Sequence, residues 1–149
     1  MNQTTHLFTS ITANYLPKAR VLAHSAKRQG ADIRFHVLLC DTYPVDTDRA
    51  AEPFDSIIDV EELPVPDRES WLFGHTVVEM CTAVKALGFL EIIRRFNAEK
   101  VFYFDPDIVI LSGLDGLIER LDQHSILLTP HQTMPETAQD AIIDNEIGS

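Results

Sequence analysis

Two aspartates interrupt an apolar, β-prone stretch of the chain, VFYFDPDIVIL, which runs from Val101 to Leu111. Burying a carboxylate costs several kcal/mol unless a partner or a metal ion compensates. Asp105 and Asp107 lie two residues apart, so in an extended segment both project to one side, with roughly 7 Å between their Cα atoms. Two hard oxygen ligands on one side can share Mg²⁺ or Mn²⁺ and leave positions free for phosphate oxygens. The pattern therefore predicts a divalent-cation site.

Pro106 separates the two carboxylates and cannot donate to a sheet ladder, so we expect the strand to break there. That break would place the aspartates at a strand end. The alternative is an Asx turn between the two apolar runs, Val101–Phe104 and Ile108–Leu111, with both carboxylates merely solvated. Four apolar residues precede the pair and four follow it, which favours the metal site over the turn.

The elements that must position these groups alternate between strand-like and helical patterns. The predicted strands are Leu7–Thr12, Ile33–Cys40, Ser56–Val60, Val101–Phe104, Ile108–Leu111 and Ile126–Thr129. The predicted helices are Tyr15–Gln29, Val77–Phe96 with a bend or break at Gly88, Leu114–Leu121 and Ala138–Ile147. The alternation indicates one α/β domain over residues 1–149, with a mainly parallel sheet flanked by helices and a ligand site at the carboxyl ends of the strands. We expect the fold to be incomplete at the C-terminus, as the N-terminal part of a longer catalytic domain.

The net charge of −11 is unevenly distributed. Residues 1–40 carry five basic and one acidic side chain, whereas residues 41–69 carry two basic and ten acidic ones, and residues 105–149 one basic and nine acidic. No basic stripe could neutralise a duplex backbone, which excludes nucleic acid as a partner. An acidic chain that binds a phosphorylated ligand needs a cation or a local basic group.

The chain also carries no pattern that indicates a membrane or secreted protein. No apolar run reaches the ~20 residues of a transmembrane segment, and the first residues lack a secretory pattern. Cys40 and Cys81 occur in apolar surroundings, which indicates buried, reduced thiols. We therefore expect a cytoplasmic protein without a transmembrane segment.

Four segments, in this order, resemble the GT-A-fold glycosyltransferases, and among them the family 8-like retaining enzymes. They are FTSITANYLPKARVLAHSAKR, FHVLLCD, HTVVEMCTAVKALGFLEII and VFYFDPDIVIL, and the resemblance extends from about Thr5 to His131. It implies a Rossmann-like nucleotide-sugar-binding fold and a metal-dependent, hexosyltransferase-like activity. The implied donor is a nucleoside-diphosphate sugar, with UDP as the expected nucleotide, and the acceptor is unknown.

The resemblance implies contacts to the nucleotide for residues near the first two strands. Thr9, Ser10, Asn14 and Tyr15 match the part of the family that surrounds the base and the ribose. Tyr15 either stacks on the base or caps the helix as a core tyrosine. Asp41 follows the second strand, where it either contacts the nucleotide or serves as a plain turn residue.

The resemblance also implies a group that binds the diphosphate. Lys85 matches a basic residue that the family places near the phosphates or the sugar, although a surface lysine is the alternative. Asp105 and Asp107 match the family's Asp-x-Asp motif, in which the second aspartate binds Mn²⁺ or Mg²⁺ and the first contacts metal, ribose or sugar. His131 occurs too early in the chain to match the family's later histidine ligand.

Two other classes of protein remain open at this point. A haloacid-dehalogenase-type phosphatase would use Asp105 as nucleophile and Asp107 as acid/base with Mg²⁺. Three predicted strands precede the motif, and no lysine follows Lys100, which both disfavour that class. The third hypothesis is a non-catalytic domain that binds a nucleotide sugar without transferring it.

Overall fold

The computed structural model describes residues 4–65 and 67–130, which form a parallel sheet with helices on both faces. The strands are β1 (Thr5–Ile11), β2 (Ile33–Leu39), β3 (Ser56–Asp59) and β4 (Lys100–Tyr103). The helices are α1 (Leu16–Lys27), α2 (Arg68–Phe73), α3 (Val77–Ala83), α4 (Lys85–Phe96) and α5 (Asp115–Leu121). The predicted α/β class and parallel sheet are confirmed, and no helix in the described ranges is long and apolar enough to span a membrane.

The sheet has the order β3-β2-β1-β4, and all three of its pairings are parallel. β1 is buried along its whole length because it has a strand on each side and a core packs against each face of the sheet. Its buried residues include the polar side chains of Thr5, His6, Thr9 and Ser10 as well as apolar ones. The chain places β2 and β3 on one side of β1 and then crosses to place β4 on the other. Such a reversal of strand order opens a crevice at the carboxyl ends, where open α/β sheets bind ligands.

Side chains of alternate residues fill two separate cores, one on each face of the sheet. On one face α1 and the region around Leu114 cover Leu7 and Ile11 of β1. On the other face α4 covers Phe8 of β1 and Leu38 of β2. This alternation decides which residues at the strand ends share a side, and so which can form a site together.

The long helix predicted over Val77–Phe96 is two helices, α3 and α4, which meet at Val84 rather than at Gly88. Thr76 begins α3 with a capping box, since its hydroxyl accepts from the N–H of Glu79 while the Glu79 carboxylate accepts from the N–H of Thr76. Gly88 instead provides close packing: a Cβ there would lie 2.7 Å from Cε2 of Phe8. Gly88 therefore allows α4 to pack closely against β1 and does not break the helix.

Two predicted strands, Ile108–Leu111 and Ile126–Thr129, are wrong, since both segments are irregular. The backbone of Ile110 is satisfied by α1 instead of a neighbouring strand. Its N–H donates to Ser25 Oγ at 3.0 Å, and its carbonyl accepts from Gln29 Nε2 at 3.1 Å. The predicted helix Ala138–Ile147 lies outside the described residues.

Candidate functional site

The carboxyl ends of β1 and β4 meet at a polar cluster on the α4 side of the sheet. Ser10, near the end of β1, donates from its hydroxyl to the backbone carbonyl of Cys81 in α3 at 2.6 Å. The same hydroxyl lies 3.3 Å from the hydroxyl of Tyr103, the last residue of β4. These contacts bring two neighbouring strands and the α3 helix to one point beside the reversal of strand order.

Asp105 extends this cluster two residues beyond β4. The Tyr103 hydroxyl donates to Asp105 Oδ1 at 2.9 Å, and Lys85 Nζ, from the first residue of α4, lies 3.5 Å from the same oxygen. The Lys85 ammonium also lies 4.4 Å from the centre of the Tyr103 ring. The Asp105 side chain is 58% exposed, so the carboxylate is oriented and still reachable by a ligand.

The ionisation of Tyr103 fixes the direction of its hydrogen bond. Burial raises the pKa of the Tyr103 phenol, and the neighbouring Asp105 carboxylate raises it further. The phenol therefore stays protonated at neutral pH and donates to the carboxylate. Sequence reasoning missed Tyr103, although its position two residues before Asp105 at a strand end was a usable signal.

Asp107 lies on a turn, not on the extended segment that the spacing indicated. Residues 106–107 form the turn, and the Ile108 N–H donates to the Asp105 carbonyl at 3.1 Å. The break expected at Pro106 is confirmed, since β4 ends at Tyr103. The local backbone thus matches the turn alternative. Asp105, however, is held by Tyr103 and Lys85, so it is not merely solvated as that alternative assumed.

The two carboxylates have the oxygen ligands that a hard divalent cation prefers, but two side chains alone do not complete its coordination. Both side chains are exposed oxygen donors on one short turn. Within residues 4–65 and 67–130 no group of three or more His, Cys, Asp or Glu side chains could hold a metal ion. Two protein ligands are compatible with Mg²⁺ or Mn²⁺ when phosphate oxygens and water complete the coordination.

A second polar group lies at the ends of β1 and β2. Asp41 accepts a hydrogen bond from the backbone N–H of Ala13 at 2.8 Å, so it holds the turn that follows β1. In that turn the Thr12 hydroxyl donates to Asn14 Oδ1. Asp41 and Asn14 are both exposed and lie on the edge where the family resemblance implies a nucleotide.

The remaining residues of the predicted site differ in exposure. Tyr15 is the N-cap residue of α1, as its alternative had it, but it is 39% exposed and so is not a core tyrosine. Lys18 Nζ lies 4.5 Å from its ring centre, and base stacking stays a prediction. Thr9 is fully buried, and its hydroxyl has no hydrogen-bond partner among the described residues. The structure thus gives Thr9 no open path to a ligand. His131 lies outside the described residues.

A cavity of about 600 Å³ opens at the opposite, amino edge of the sheet, lined in part by His6, His36 and Phe96. His6 Nδ1 lies 2.9 Å from His36 Nε2, and His36 Nδ1 lies 2.8 Å from Ser56 Oγ. Burial lowers the pKa of His36 to about 4, so the pair is neutral and each contact is a hydrogen bond. We place the candidate site at the carboxyl edge because parallel sheets bind ligands there and because these histidines are already partnered.

Comparisons with known proteins find similarity only to solved structures. No family model matches the chain, and no curated protein does. The chain is similar to an active-site mutant of LgtC (20% identity, 76% of this chain and 41% of that chain covered, TM-score 0.48). It is also similar to the galactosyltransferase LgtC in complex with donor and acceptor sugar analogs (19% identity, 76% and 41% covered, TM-score 0.45). The chain thus spans less than half the length of these glycosyltransferases.

Proposed function

We propose that the chain is the donor-binding part of a metal-dependent glycosyltransferase, with a nucleoside-diphosphate sugar as ligand and UDP as the expected nucleotide. The observation that carries this proposal is the position of the Asp105 carboxylate, between the Tyr103 hydroxyl and the Lys85 ammonium, at the end of β4. A cation-binding group and a phosphate-binding group there share the edge where open α/β sheets bind ligands. The sugar and the acceptor stay unassigned.

Asp105 and Asp107 are the residues that would hold Mn²⁺ or Mg²⁺. A bound divalent cation supplies positive charge that stabilises the diphosphate as the sugar leaves it. The Tyr103 hydroxyl fixes the orientation of Asp105 Oδ1, which lowers the entropy that the carboxylate would lose on binding. Asp107 is exposed on the adjacent turn, where it can approach the same ion.

Lys85 would offset the charge of the phosphates directly. Its ammonium is a point charge at the start of α4, and its side chain is 34% exposed, so it can reach a ligand in the crevice. The strongly acidic character of the chain makes one well-placed cation important for holding an anionic donor.

The nucleoside end of the donor would lie along the ends of β1 and β2. Asn14 and Tyr15 are exposed on the turn that Asp41 holds in place through the Ala13 N–H. An aromatic ring and amide or carboxylate groups can recognise a base by stacking and a ribose by hydrogen bonds. Within this proposal Thr9 supports the strand from its buried position.

Calorimetry of UDP binding with and without Mn²⁺ tests the proposal. In the wild-type chain we expect Mn²⁺ to raise the affinity for UDP at least about tenfold, which is ~1.4 kcal/mol. Asp107→Ala should abolish that gain. Asp46→Ala, which removes an exposed carboxylate from the loop after β2, is the matched control and should retain it. Equal affinity with and without metal in the wild-type chain would refute the proposal.

One contact also keeps the phosphatase hypothesis in view. A lysine beside the nucleophilic aspartate is a requirement of that class, and Lys85 lies 3.5 Å from Asp105, although it precedes the motif in sequence. Hydrolysis of an aryl phosphate in Mg²⁺, lost in Asp105→Asn, would favour this class. Binding of UDP that depends on Mn²⁺, without such hydrolysis, favours the donor-binding proposal.

A further inference from the structure

Ser10 joins β1 to the region where α3 ends and α4 begins. The residue is only 3% exposed. Its hydroxyl donates to the Cys81 carbonyl at 2.6 Å, because a carbonyl can only accept, so its one proton is used within the protein. The neighbouring Tyr103 hydroxyl, 3.3 Å away, donates to Asp105. Ser10 is therefore buried and has no proton left to donate to a ligand.

The carbonyl that Ser10 contacts belongs to the last turn of α3. The last four carbonyls of a helix have no partner within that helix, so other groups must satisfy them. Cys81 carries one of these four, because α3 ends at Ala83. The Ser10 hydroxyl thus caps α3 from β1. The Cys81 side chain itself is half-buried, so the expectation of a buried thiol is wrong for Cys81, whereas Cys40 is buried as expected.

Val84 is the single residue between α3 and α4, and it is fully buried. Its N–H donates to the Met80 carbonyl at 3.0 Å, and its carbonyl accepts from the Gly88 N–H at 2.8 Å. Because these hydrogen bonds connect the two helices through Val84, a displacement of the end of α3 also moves the start of α4. Lys85 is the first residue of α4, so the contact made by Ser10 helps to fix the position of the Lys85 ammonium.

We propose that Ser10 is a positioning residue, which caps α3 and so holds Lys85 beside Asp105. This role rests on the proposed function, because Lys85 is the group that would contact the phosphates of the donor. Two contacts of the Lys85 ammonium depend on this placement, with Asp105 Oδ1 at 3.5 Å and with the centre of the Tyr103 ring at 4.4 Å. Without the Ser10 hydroxyl the Cys81 carbonyl loses a partner, and the end of α3 can shift. The ammonium then moves away from the position that suits the phosphates.

Amide hydrogen exchange of the ligand-free chain tests whether Ser10 fixes the start of α4. In Ser10→Ala the amides of Val84 and Gly88 should exchange at least about tenfold faster than in the wild-type chain. The amides of α1 should accelerate less, since the change is local. Ser56→Ala removes a hydroxyl that contacts His36 at the amino edge, and as the matched control it should leave both amides unchanged. Equal acceleration in α1 and at Val84 and Gly88, or none in either, would overturn the proposed role.

A double-variant comparison tests whether Ser10 acts through Lys85. Ser10→Ala should weaken the binding of UDP in Mn²⁺ about fivefold, and it should cause no further loss in a chain that already carries Lys85→Met. Uridine, which lacks phosphates, should bind the wild-type chain, both single variants and the double variant equally. Calorimetry provides the measurement. An unchanged UDP affinity in Ser10→Ala, or an equally large further loss in the Lys85→Met chain, would overturn the proposed role.

The role of Ser10 and the donor-binding proposal fail in different ways. If the wild-type chain shows no Mn²⁺-dependent binding of UDP, the donor-binding proposal fails, while hydrogen exchange of the ligand-free chain still decides whether Ser10 fixes the start of α4. If the wild-type chain binds UDP and Ser10→Ala binds it equally well, the role of Ser10 fails and the donor-binding proposal stands.

Discussion

Lys85 Nζ and Asp105 Oδ1 lie 3.5 Å apart, which joins the start of α4 to the end of β4 across the candidate site. Both side chains are partly exposed, and such ion pairs contribute only about 0–1 kcal/mol to stability. A divalent cation at Asp105 would repel the ammonium and compete with it for the carboxylate. We therefore expect cation binding to release Lys85, so that its ammonium can approach the phosphates of the donor. Without a ligand, the ion pair keeps both side chains at the site.

Lys85→Met should weaken the binding of UDP in Mn²⁺ about tenfold, because the variant keeps the apolar stem and removes the charge. Uridine, which lacks phosphates, should bind the variant and the wild-type chain equally. Calorimetry with both ligands provides the measurement. Lys100→Met removes a lysine that pairs with Asp122 away from the site and serves as the control. Unchanged UDP affinity in Lys85→Met would make Lys85 a plain surface lysine.

Tyr103→Phe should weaken the Mn²⁺-dependent binding of UDP about fivefold, since the Asp105 carboxylate loses a hydrogen bond worth about 1 kcal/mol. Tyr43→Phe is a matched control, because the Tyr43 hydroxyl donates to the Glu52 carboxylate at 2.8 Å in another part of the fold. Competition with a fluorescent UDP analogue can compare the two variants. Equal losses of affinity in both would mean that Tyr103 has no special part in the site.

Gly88→Ala should destabilise the fold by about 1–3 kcal/mol, although alanine is the better helix former. The new Cβ would meet Phe8 Cε2 at 2.7 Å and Leu38 Cδ2 at 3.1 Å, and both side chains are buried. Gly116→Ala in α5 is the control, because a Cβ there has no neighbour within 4 Å and should be neutral or stabilising. Urea unfolding measures both, and an equally stable Gly88→Ala variant would contradict the packing of α4 against β1.

Stability should fall between pH 6.5 and about 4 because of the buried histidine pair. Burial lowers the pKa of His36 from 6.5 to about 4, and burial also lowers the pKa of His6. The unfolded chain then binds more protons, so the stabilisation is present above pH 6.5 and is lost as the pH falls toward 4. The loss attributable to His36 is at most about 3 kcal/mol.

Urea unfolding at several pH values checks this expectation. His36→Gln should flatten the pH dependence across that window. His24→Gln removes an exposed histidine and should leave the dependence as it is in the wild-type chain. A wild-type stability that stays constant from pH 6.5 to 4.5 would contradict a buried, neutral pair.

The sheet was readable from the sequence because its strands are short apolar runs that end in turns. β1 and β2 agree with their predicted bounds to within two residues. β2 ends in a continuous apolar run, which is typical of strands buried on both faces, whereas β1 mixes apolar residues with small polar ones. The same signal was wrong for Ile108–Leu111. There the side chains of Ser25 and Gln29 in α1 satisfy the backbone of Ile110, a long-range contact that local pattern cannot reveal.

The candidate site was only partly predictable. Asp105 could be recognised from the sequence because it is a charged residue in an apolar, strand-like region. Lys85 could be recognised because it is a cation on a largely apolar helix. The role of Tyr103 depends on its contacts with Ser10 and Asp105, and the contact with Ser10 depends on the pairing of β4 with β1. The break at Val84 has no glycine or proline to mark it.

A crystal of the chain grown with Mn²⁺ and UDP tests the central claim most directly, because manganese scatters anomalously. We expect one anomalous peak beside the carboxylates of Asp105 and Asp107, at about 2.0–2.2 Å from their nearest oxygens, with the diphosphate of UDP bound to the same ion. An anomalous map without a peak at that turn, while UDP is bound or both carboxylates contact only solvent, would contradict the account.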